Sequence, residues 1–176
     1  MILSSSIAAV LPPSRAALLI DLENLAYTAD GELISAPALG ARLDEVLALA
    51  GSVQHRLVAA QRDMLLRYAA ELAARNLRWQ ECPSGPDEAD RALIEAGLGL
   101  LLRGFGRIVV ASGDHFFAPF GDLCDLHVAV PRGVHVSARL ASAGTVLTAA
   151  RGAAIRVTRT VDASTTRPGT TVPAAA

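Results

Sequence analysis

The sequence contains no lysine, so all 16 of its basic side chains are arginine. With 17 acidic side chains, the formal net charge is −1, which excludes a polybasic tail and gives no overall attraction to nucleic acid. The planar guanidinium of arginine does suit phosphate, but a codon bias toward arginine and alanine is the simpler explanation for the missing lysine. If arginines bind a partner, they must do so through a local patch.

Cysteine is also scarce. Cys82 and Cys124 stand far apart, and neither belongs to a CxxC pair or to a Cys/His pattern, which argues against a structural zinc site. Two separate thiols are typical of proteins in a reducing compartment, so we expect a cytoplasmic location.

Long apolar runs are missing as well, and we expect no export signal. The first residues lack the basic start of a signal peptide and soon reach two prolines. The longest apolar run, 92–102, contains Glu95 and is closed by Arg103, so it is too short and too interrupted to span a bilayer. We therefore expect no membrane partner.

The length of 176 residues suits one compact domain but not two. We divide the chain into an N-terminal extension at 1–15, one domain at 16–150 and a tail rich in alanine, threonine and proline at 151–176. Residues 155–158 have the composition of a short strand, and we expect the rest of the tail to be disordered.

Apolar runs and helical periodicities alternate along the domain. Strands are predicted at 16–21, 53–60, 77–82, 107–111, 125–130 and 145–148. Helices are predicted at 37–50, 63–75, 84–103 and 134–142, with a further short helix after residue 114. Such alternation predicts an α/β fold, a three-layer α/β/α sandwich around a central, mainly parallel sheet with Rossmann-like topology.

In a sheet of this kind, functional residues collect where the strands end, near the point at which strand order reverses. Asp21 directly follows the first apolar strand, Asp87 and Asp90 open the helix after the third, and Asp114 follows the fourth. Acids that are distant in sequence are thus predicted to meet at one edge of the sheet.

Two of these acids have simple structural explanations. Asp114 is placed to cap a helix, and Asp87 could complete a capping box that begins at Ser84. Asp21 and Asp90 are harder to explain in this way, because Asp21 borders the core and Asp90 lies one turn inside its helix. Clustered carboxylates need a cation, and Mg²⁺ or Mn²⁺ suits oxygen ligands. The chemistry indicated is hydrolysis of a phosphodiester bond.

Three segments, ALLIDLENLAY, GPDEADRALIEAG and VVASGDHFFAPF, resemble in this order the signature blocks of the NYN domain, a branch of the PIN-like metal-dependent ribonucleases. The resemblance covers about residues 16–148, and PRGVHVSARLASAG is similar to the last strand-and-helix region of the family. It implies a PIN-like fold and endonucleolytic cleavage of RNA with Mg²⁺ or Mn²⁺.

The family pattern implies that Asp21, Asp90 and Asp114 are the catalytic, metal-holding residues. It makes Asn24 and Ser112 supporting residues and Asp87 a substitute for Asp90. The chain departs from the pattern at Phe116, where many members have a second acid. Glu95 lies close to the place of a further acid but one residue early.

The departure at Phe116 leaves a second possibility open. The chain would then be a weak or inactive protein of the same fold that binds RNA or a protein partner. A third is a phosphatase of the haloacid-dehalogenase type with Asp21 as nucleophile, which the neighbouring Glu23 and Asn24 fit poorly. Whether the chain forms a homo-oligomer is also open.

Further residues are candidates for contacts with the substrate, against the simpler view that they lie on solvated helix faces. They are Arg91, His115, Arg132 and Arg139. Phe117 and Phe120 are expected in the core, which leaves Phe116 free to stack on a base.

Overall fold

The computed structural model describes residues 15–149 and 155–159. Seven strands form a single sheet in the order β3-β2-β1-β4-β5-β6-β7. All neighbouring pairs are parallel except the pair formed by β6 and β7. The strands are β1 Arg15–Asp21, β2 His55–Gln61, β3 Arg78–Cys82, β4 Phe105–Ala111, β5 Asp125–Ala129, β6 Thr145–Ala149 and β7 Ile155–Arg159. The predicted α/β fold with a mainly parallel sheet is confirmed.

Helices connect the parallel strands. They are α1 Leu22–Ala26, α2 Ala36–Ala50, α3 Arg62–Arg67, α4 Ala69–Ala74, α5 Glu88–Leu102 and α6 Ala138–Ala143, together with a 3₁₀ helix at His115–Asp122. In the described part of the chain, none of them is long and apolar enough to cross a bilayer.

The sheet separates two apolar cores, which gives the three layers. Strand β1 shows how one segment serves both: Leu18 and Ile20 belong to the core shared with α1 to α4, whereas Ala17 and Leu19 belong to the core shared with α5, the 3₁₀ helix and α6. Because both faces of β1 are covered, the strand reads as one continuous apolar run.

The predicted helix at 63–75 is wrong as a single element, because it is interrupted at Tyr68. The side chain of Tyr68 is fully buried, and its hydroxyl donates a hydrogen bond of 2.7 Å to the carbonyl of Ile34. The backbone leaves helical geometry at this residue, with φ −111° and ψ 16°. The break between α3 and α4 thus lies at the residue whose side chain is anchored in the core.

The predicted helix at 134–142 starts later than expected, at Ala138. Ser137 caps α6, and its amide donates a hydrogen bond of 2.8 Å to the carbonyl of Gly113. The backbone of His135 lies so close to Gly113 that a Cβ on the glycine would overlap with it. The segment 134–137 thus packs against the loop after β4 and is not part of the helix.

The tail begins with a strand. The prediction of a strand at 155–158 is confirmed by β7, which pairs antiparallel with β6 from Thr145↔Arg159 to Ala149↔Ile155. Of the extension predicted at 1–15, only Arg15 is described, and it is the first residue of β1 rather than part of an extension. Of the disorder predicted after 158, only Arg159 is described, and it ends β7; the other residues of both segments lie outside the described part of the chain.

Strand order reverses between β1 and β4, since β2 and β3 lie on one side of β1 whereas β5 and β6 lie beyond β4. The carboxyl ends of β1 and β4 are therefore neighbours, and their following loops diverge to leave a crevice. Asp21 ends β1, and Ser112 to Asp114 follow β4 directly.

Candidate functional site

Asp21 is held in a buried position at the end of β1, with only 6% of its surface exposed. It is the N-cap of α1, and its carboxylate accepts hydrogen bonds from the Asn24 amide at 3.2 Å and the Ser112 hydroxyl at 3.1 Å. Burial nevertheless raises the pKa of Asp21 to about 6, because its hydrogen-bond donors do not replace the lost hydration.

The sequence predicts Asp90 one turn inside a helix that begins at 84, but α5 begins only at Glu88, so Asp90 lies in its first turn. It is 9% exposed. Among the described residues, its Oδ1 is a buried polar atom without a hydrogen-bond partner. Burial, followed by the negative charges of Asp21 and Asp114 and then those of other nearby acids, raises the pKa of Asp90 to about 7. An orphaned carboxylate oxygen among other acids is costly unless a cation or a proton neutralises it.

The loop after β4 contains Ser112, Gly113 and Asp114, and polar contacts hold these residues in place. Ser112 is fully buried. Its hydroxyl oxygen accepts a hydrogen bond of 3.1 Å from the Asp114 amide, and the hydroxyl group donates a hydrogen bond to the carboxylate of Asp21. The Asn24 side-chain oxygen accepts a hydrogen bond of 3.0 Å from the Gly113 amide. Both residues predicted to support the acids thus connect the ends of β1 and β4.

Asp114 also makes the structural contacts expected of a cap. One of its oxygens, Oδ1, accepts a hydrogen bond of 3.3 Å from the Phe116 amide and lies 2.7 Å from Nδ1 of His115. Its other oxygen is free of these contacts. Capping therefore does not prevent Asp114 from facing the crevice.

Asp87 does not complete a capping box with Ser84. It is the N-cap residue of α5 in the left-handed conformation, with φ 60°, and its side chain makes no capping hydrogen bond. Instead it lines the same cavity as Asp90. A non-glycine residue in this conformation is uncommon, which makes the start of α5 an unusual local structure.

The crevice is an open cavity of about 680 Å³. Five acids contribute to its wall, namely Asp21, Glu23, Asp87, Asp90 and Asp114. The other ionisable side chains in the wall are Tyr27, Arg42, His115 and His135. The structure thus brings Asp21, Asp90 and Asp114 to the wall of one cavity.

Arg42 is a cavity residue that the sequence analysis missed. Its guanidinium donates hydrogen bonds to the carbonyls of Leu25 at 2.6 Å and Tyr27 at 2.8 Å, which fixes it at the end of α1. The only sequence signal was its position three residues after the buried Leu39, which places it beside the core-facing side of α2.

Three predicted substrate contacts are not brought to the cavity. Arg91 forms an exposed ion pair of 2.6 Å with Glu88, and Arg132 donates a hydrogen bond of 3.4 Å to the carbonyl of Ala149. Arg139, on α6, does not line the cavity either. Glu95 lies with Arg91 in a separate surface pocket.

His115, in contrast, does line the cavity and stacks on Phe116, with 4.5 Å between ring centroids. Phe116 is 37% exposed, whereas Phe117 and Phe120 are buried as expected. An aromatic pair thus stands at the rim beside Asp114.

The donor chemistry of the cavity fits a hard divalent cation, because its acids offer carboxylate oxygens and one of these is buried without a partner. Among the described residues, no group of three or more His, Cys, Asp or Glu side chains is already arranged around a common point. Mg²⁺ keeps several waters and often uses only one or two carboxylates directly, so a fully assembled cage is not required.

Neither a comparison with protein-family profiles nor a comparison with curated protein sequences finds a match to this chain. The family resemblance therefore rests on the sequence segments quoted above.

Proposed function

We propose that this chain is a metal-dependent ribonuclease that hydrolyses phosphodiester bonds of RNA. The observation that carries the proposal is the gathering of Asp21, Asp90 and Asp114 at the strand-order reversal, with one Asp90 oxygen buried and unpartnered. A bound cation would stabilise a cluster of this kind, because it offsets the repulsion between the carboxylates and compensates for their lost hydration.

Asp21, Asp90 and Asp114 would hold Mg²⁺ or Mn²⁺, with Asp87 beside them. When bound, the ion supplies a water of lowered pKa and neutralises charge on the phosphate. Without a cation the wall would repel the substrate, since its acids outnumber its single arginine.

The protein's own groups set the orientation of these acids. Ser112 and Asn24 tie the end of β1 to the loop after β4, so that Asp21 and Asp114 keep a fixed separation. In the metal-free protein Asp90 has a pKa of about 7, so binding of the cation near neutral pH would displace a proton from it. Arg42 provides fixed positive charge in the wall.

A nuclease assay tests this proposal. A labelled single-stranded RNA is incubated with millimolar Mg²⁺ or Mn²⁺ and the parent protein, Asp21→Asn or Asp114→Asn. We expect each substitution to lower the rate by at least about 100-fold, as is typical when one charge-stabilising group is removed. Asp122→Asn, an exposed acid outside the cavity, is the matched control. Equal rates in the parent and both cavity variants would refute the proposal.

A second candidate is an inactive protein of the same fold that binds RNA or a protein partner. The observation that favours it is Phe116, an exposed aromatic residue in the place of the family's second acid. Calorimetric titration separates the two functions: uptake of Mn²⁺ at millimolar concentration supports the ribonuclease, whereas its absence supports the inactive protein.

A further inference from the structure

A cluster of cations lies at the edge of the sheet opposite the acidic cavity. Arg15, Arg56 and Arg78 lie at the starts of β1, β2 and β3, and Arg103 comes just before β4. Because these strands are parallel, their amino ends share one edge. We call Arg15, Arg56, Arg78 and Arg103 the amino-edge arginines.

Contacts connect these arginines into one surface. The guanidinium of Arg15 donates a hydrogen bond of 3.1 Å to the carbonyl of Arg103 and lies 4.1 Å from the ring centre of Phe105. The Phe105 ring meets His55 edge to face, with 6.4 Å between centroids. His55 in turn lines a hollow of about 300 Å³ together with Arg56 and Arg78.

Among the described residues, no carboxylate neutralises the positive charge of this surface. Within residues 15–149, none of the four guanidinium groups forms an ion pair with a carboxylate. Asp125, which begins β5 on the same edge, is engaged by Arg107 at 2.7 Å and by His127 at 3.1 Å. Burial, together with the charges of Arg103 and Arg78, lowers the pKa of His55, as a positive surrounding requires.

The arrangement favours an extended anion over a small one. The row from β3 to β4 spans three strand spacings, about 14 Å, so no single phosphate can reach all four arginines. Arginine forks bind phosphate oxygens in pairs, and Gln54 and Asn76 add polar groups in the hollow. A row of this kind suits successive phosphates of one strand.

We infer that the amino-edge arginines bind the backbone phosphates of single-stranded RNA, at a second surface separate from the acidic cavity. The choice of RNA rests on the proposed function. The two surfaces lie at opposite ends of β1, about 20 Å apart over its seven residues. The amino edge thus holds a distal part of an RNA whose other part enters the cavity.

The test measures binding without cleavage. Fluorescence anisotropy of a labelled single-stranded RNA is recorded in EDTA, for the parent and for the double variant Arg78→Gln/Arg103→Gln. The matched control is Arg62→Gln/Arg67→Gln, which removes the same charge from exposed positions on α3. Thermal unfolding of each variant establishes that all three proteins are folded.

The salt dependence of binding gives the expected result. Each phosphate contact with a single strand contributes a slope of about −0.7 in log affinity against log salt concentration. Four contacts therefore predict that the parent's affinity falls about 50-fold between about 50 and about 200 mM salt, and two contacts predict a fall of only about 7-fold. The control should behave like the parent.

Two outcomes would overturn the inference. One is equal affinity and salt slope for Arg78→Gln/Arg103→Gln and the control. The other is binding of the parent to phosphatidylserine vesicles without binding to RNA. Failure here is distinguishable from failure of the proposed function, because cleavage that depends on Asp21 and Asp114 is measured separately and with metal.

Discussion

The hydroxyl of Ser112 donates a hydrogen bond to Oδ2 of Asp21 across 3.1 Å, between residues 91 positions apart in the chain. This contact joins the ends of the two strands between which the strand order reverses. It also gives the buried Asp21 carboxylate one of its hydrogen-bond donors. Positioning of the acids and stability of the sheet edge are therefore coupled through one serine.

We expect Ser112→Ala to lower the free energy of unfolding by about 1–3 kcal/mol, because it leaves a buried carboxylate oxygen without its donor. The same loss should raise the pKa of Asp21 further above its value of about 6. Urea unfolding measures the first effect, and NMR titration of the Asp21 carboxyl carbon measures the second. Ser142→Ala serves as control, since its hydroxyl is exposed and bonds only locally to Arg139. An unchanged pKa of Asp21 would contradict the coupling.

Asp90→Asn should stabilise the metal-free protein at pH 8 but much less at pH 4.5. The folded state raises the pKa of Asp90 to about 7 from an ordinary value of 3.8, so the folded protein binds the proton more tightly than the unfolded chain. The stability linked to this proton is complete below the ordinary pKa and is lost as pH rises through about 7.

The expected gain for Asp90→Asn at pH 8 is of the order of 2 kcal/mol, since one pKa unit corresponds to about 1.4 kcal/mol and neighbouring acids share the effect. Urea unfolding in EDTA at both pH values measures it. Asp122→Asn, which removes one acid from an exposed position, is the control. A loss of stability at pH 8 in Asp90→Asn would show that burial of this charge is not costly.

Mg²⁺ should raise the unfolding temperature of the parent at pH 8, because a ligand that binds only the folded state stabilises it by mass action. A concentration about 100 times the dissociation constant would add about 2.7 kcal/mol. Differential scanning fluorimetry with increasing MgCl₂ follows the shift, with NaCl at equal ionic strength as control. Asp21→Asn should abolish it, and an equal shift in that variant would place the ion elsewhere.

Two glycines in α5 should respond in opposite ways to alanine. A Cβ at Gly97 would overlap with the ring of Phe120 and press on Leu19, so Gly97→Ala should cost about 1–3 kcal/mol of unfolding free energy. At Gly99 the nearest atom is the flexible end of Arg103 at 3.5 Å, so Gly99→Ala should add about 0.5–1 kcal/mol through helix propensity. Chemical unfolding of both variants checks the pair; destabilisation by Gly99→Ala would contradict the assigned packing.

The elements of the fold could be read from local patterns. The run AALLID gave a buried strand, and the spacing of Leu39, Leu43 and Val46 gave the inner face of α2. The pattern failed where contacts distant in sequence decide the backbone. Tyr68 breaks a helix whose periodicity continues through it, and the contact between Gly113 and residue 135 delays the start of α6.

The candidate site likewise depends partly on local sequence patterns and partly on contacts between residues that are distant in sequence. Carboxylates directly after strands predicted Asp21 and Asp114 as neighbours, because the ends of parallel strands share an edge. The predicted contacts from Arg91, Arg132 and Arg139 were not found at the cavity. A position on a helix, or just before one as for Arg132, does not determine which partner a long side chain contacts. Arg42 could not be predicted, because its place depends on α2 packing beside the end of α1.

By itself the sequence determined the order of strands and helices and the acids at the strand ends, because periodicity and chain position are local properties. Only the tertiary structure decided that β1 lies beside β4. It also decided how deeply Asp90 is buried, and this desolvation raises the pKa of Asp90 to about 7. It also collected, at the opposite edge of this lysine-free chain with a net charge of −1, four arginines that form no ion pair within residues 15–149. Overall composition averages the two signs of charge, whereas parallel strands separate them to the two ends of one sheet.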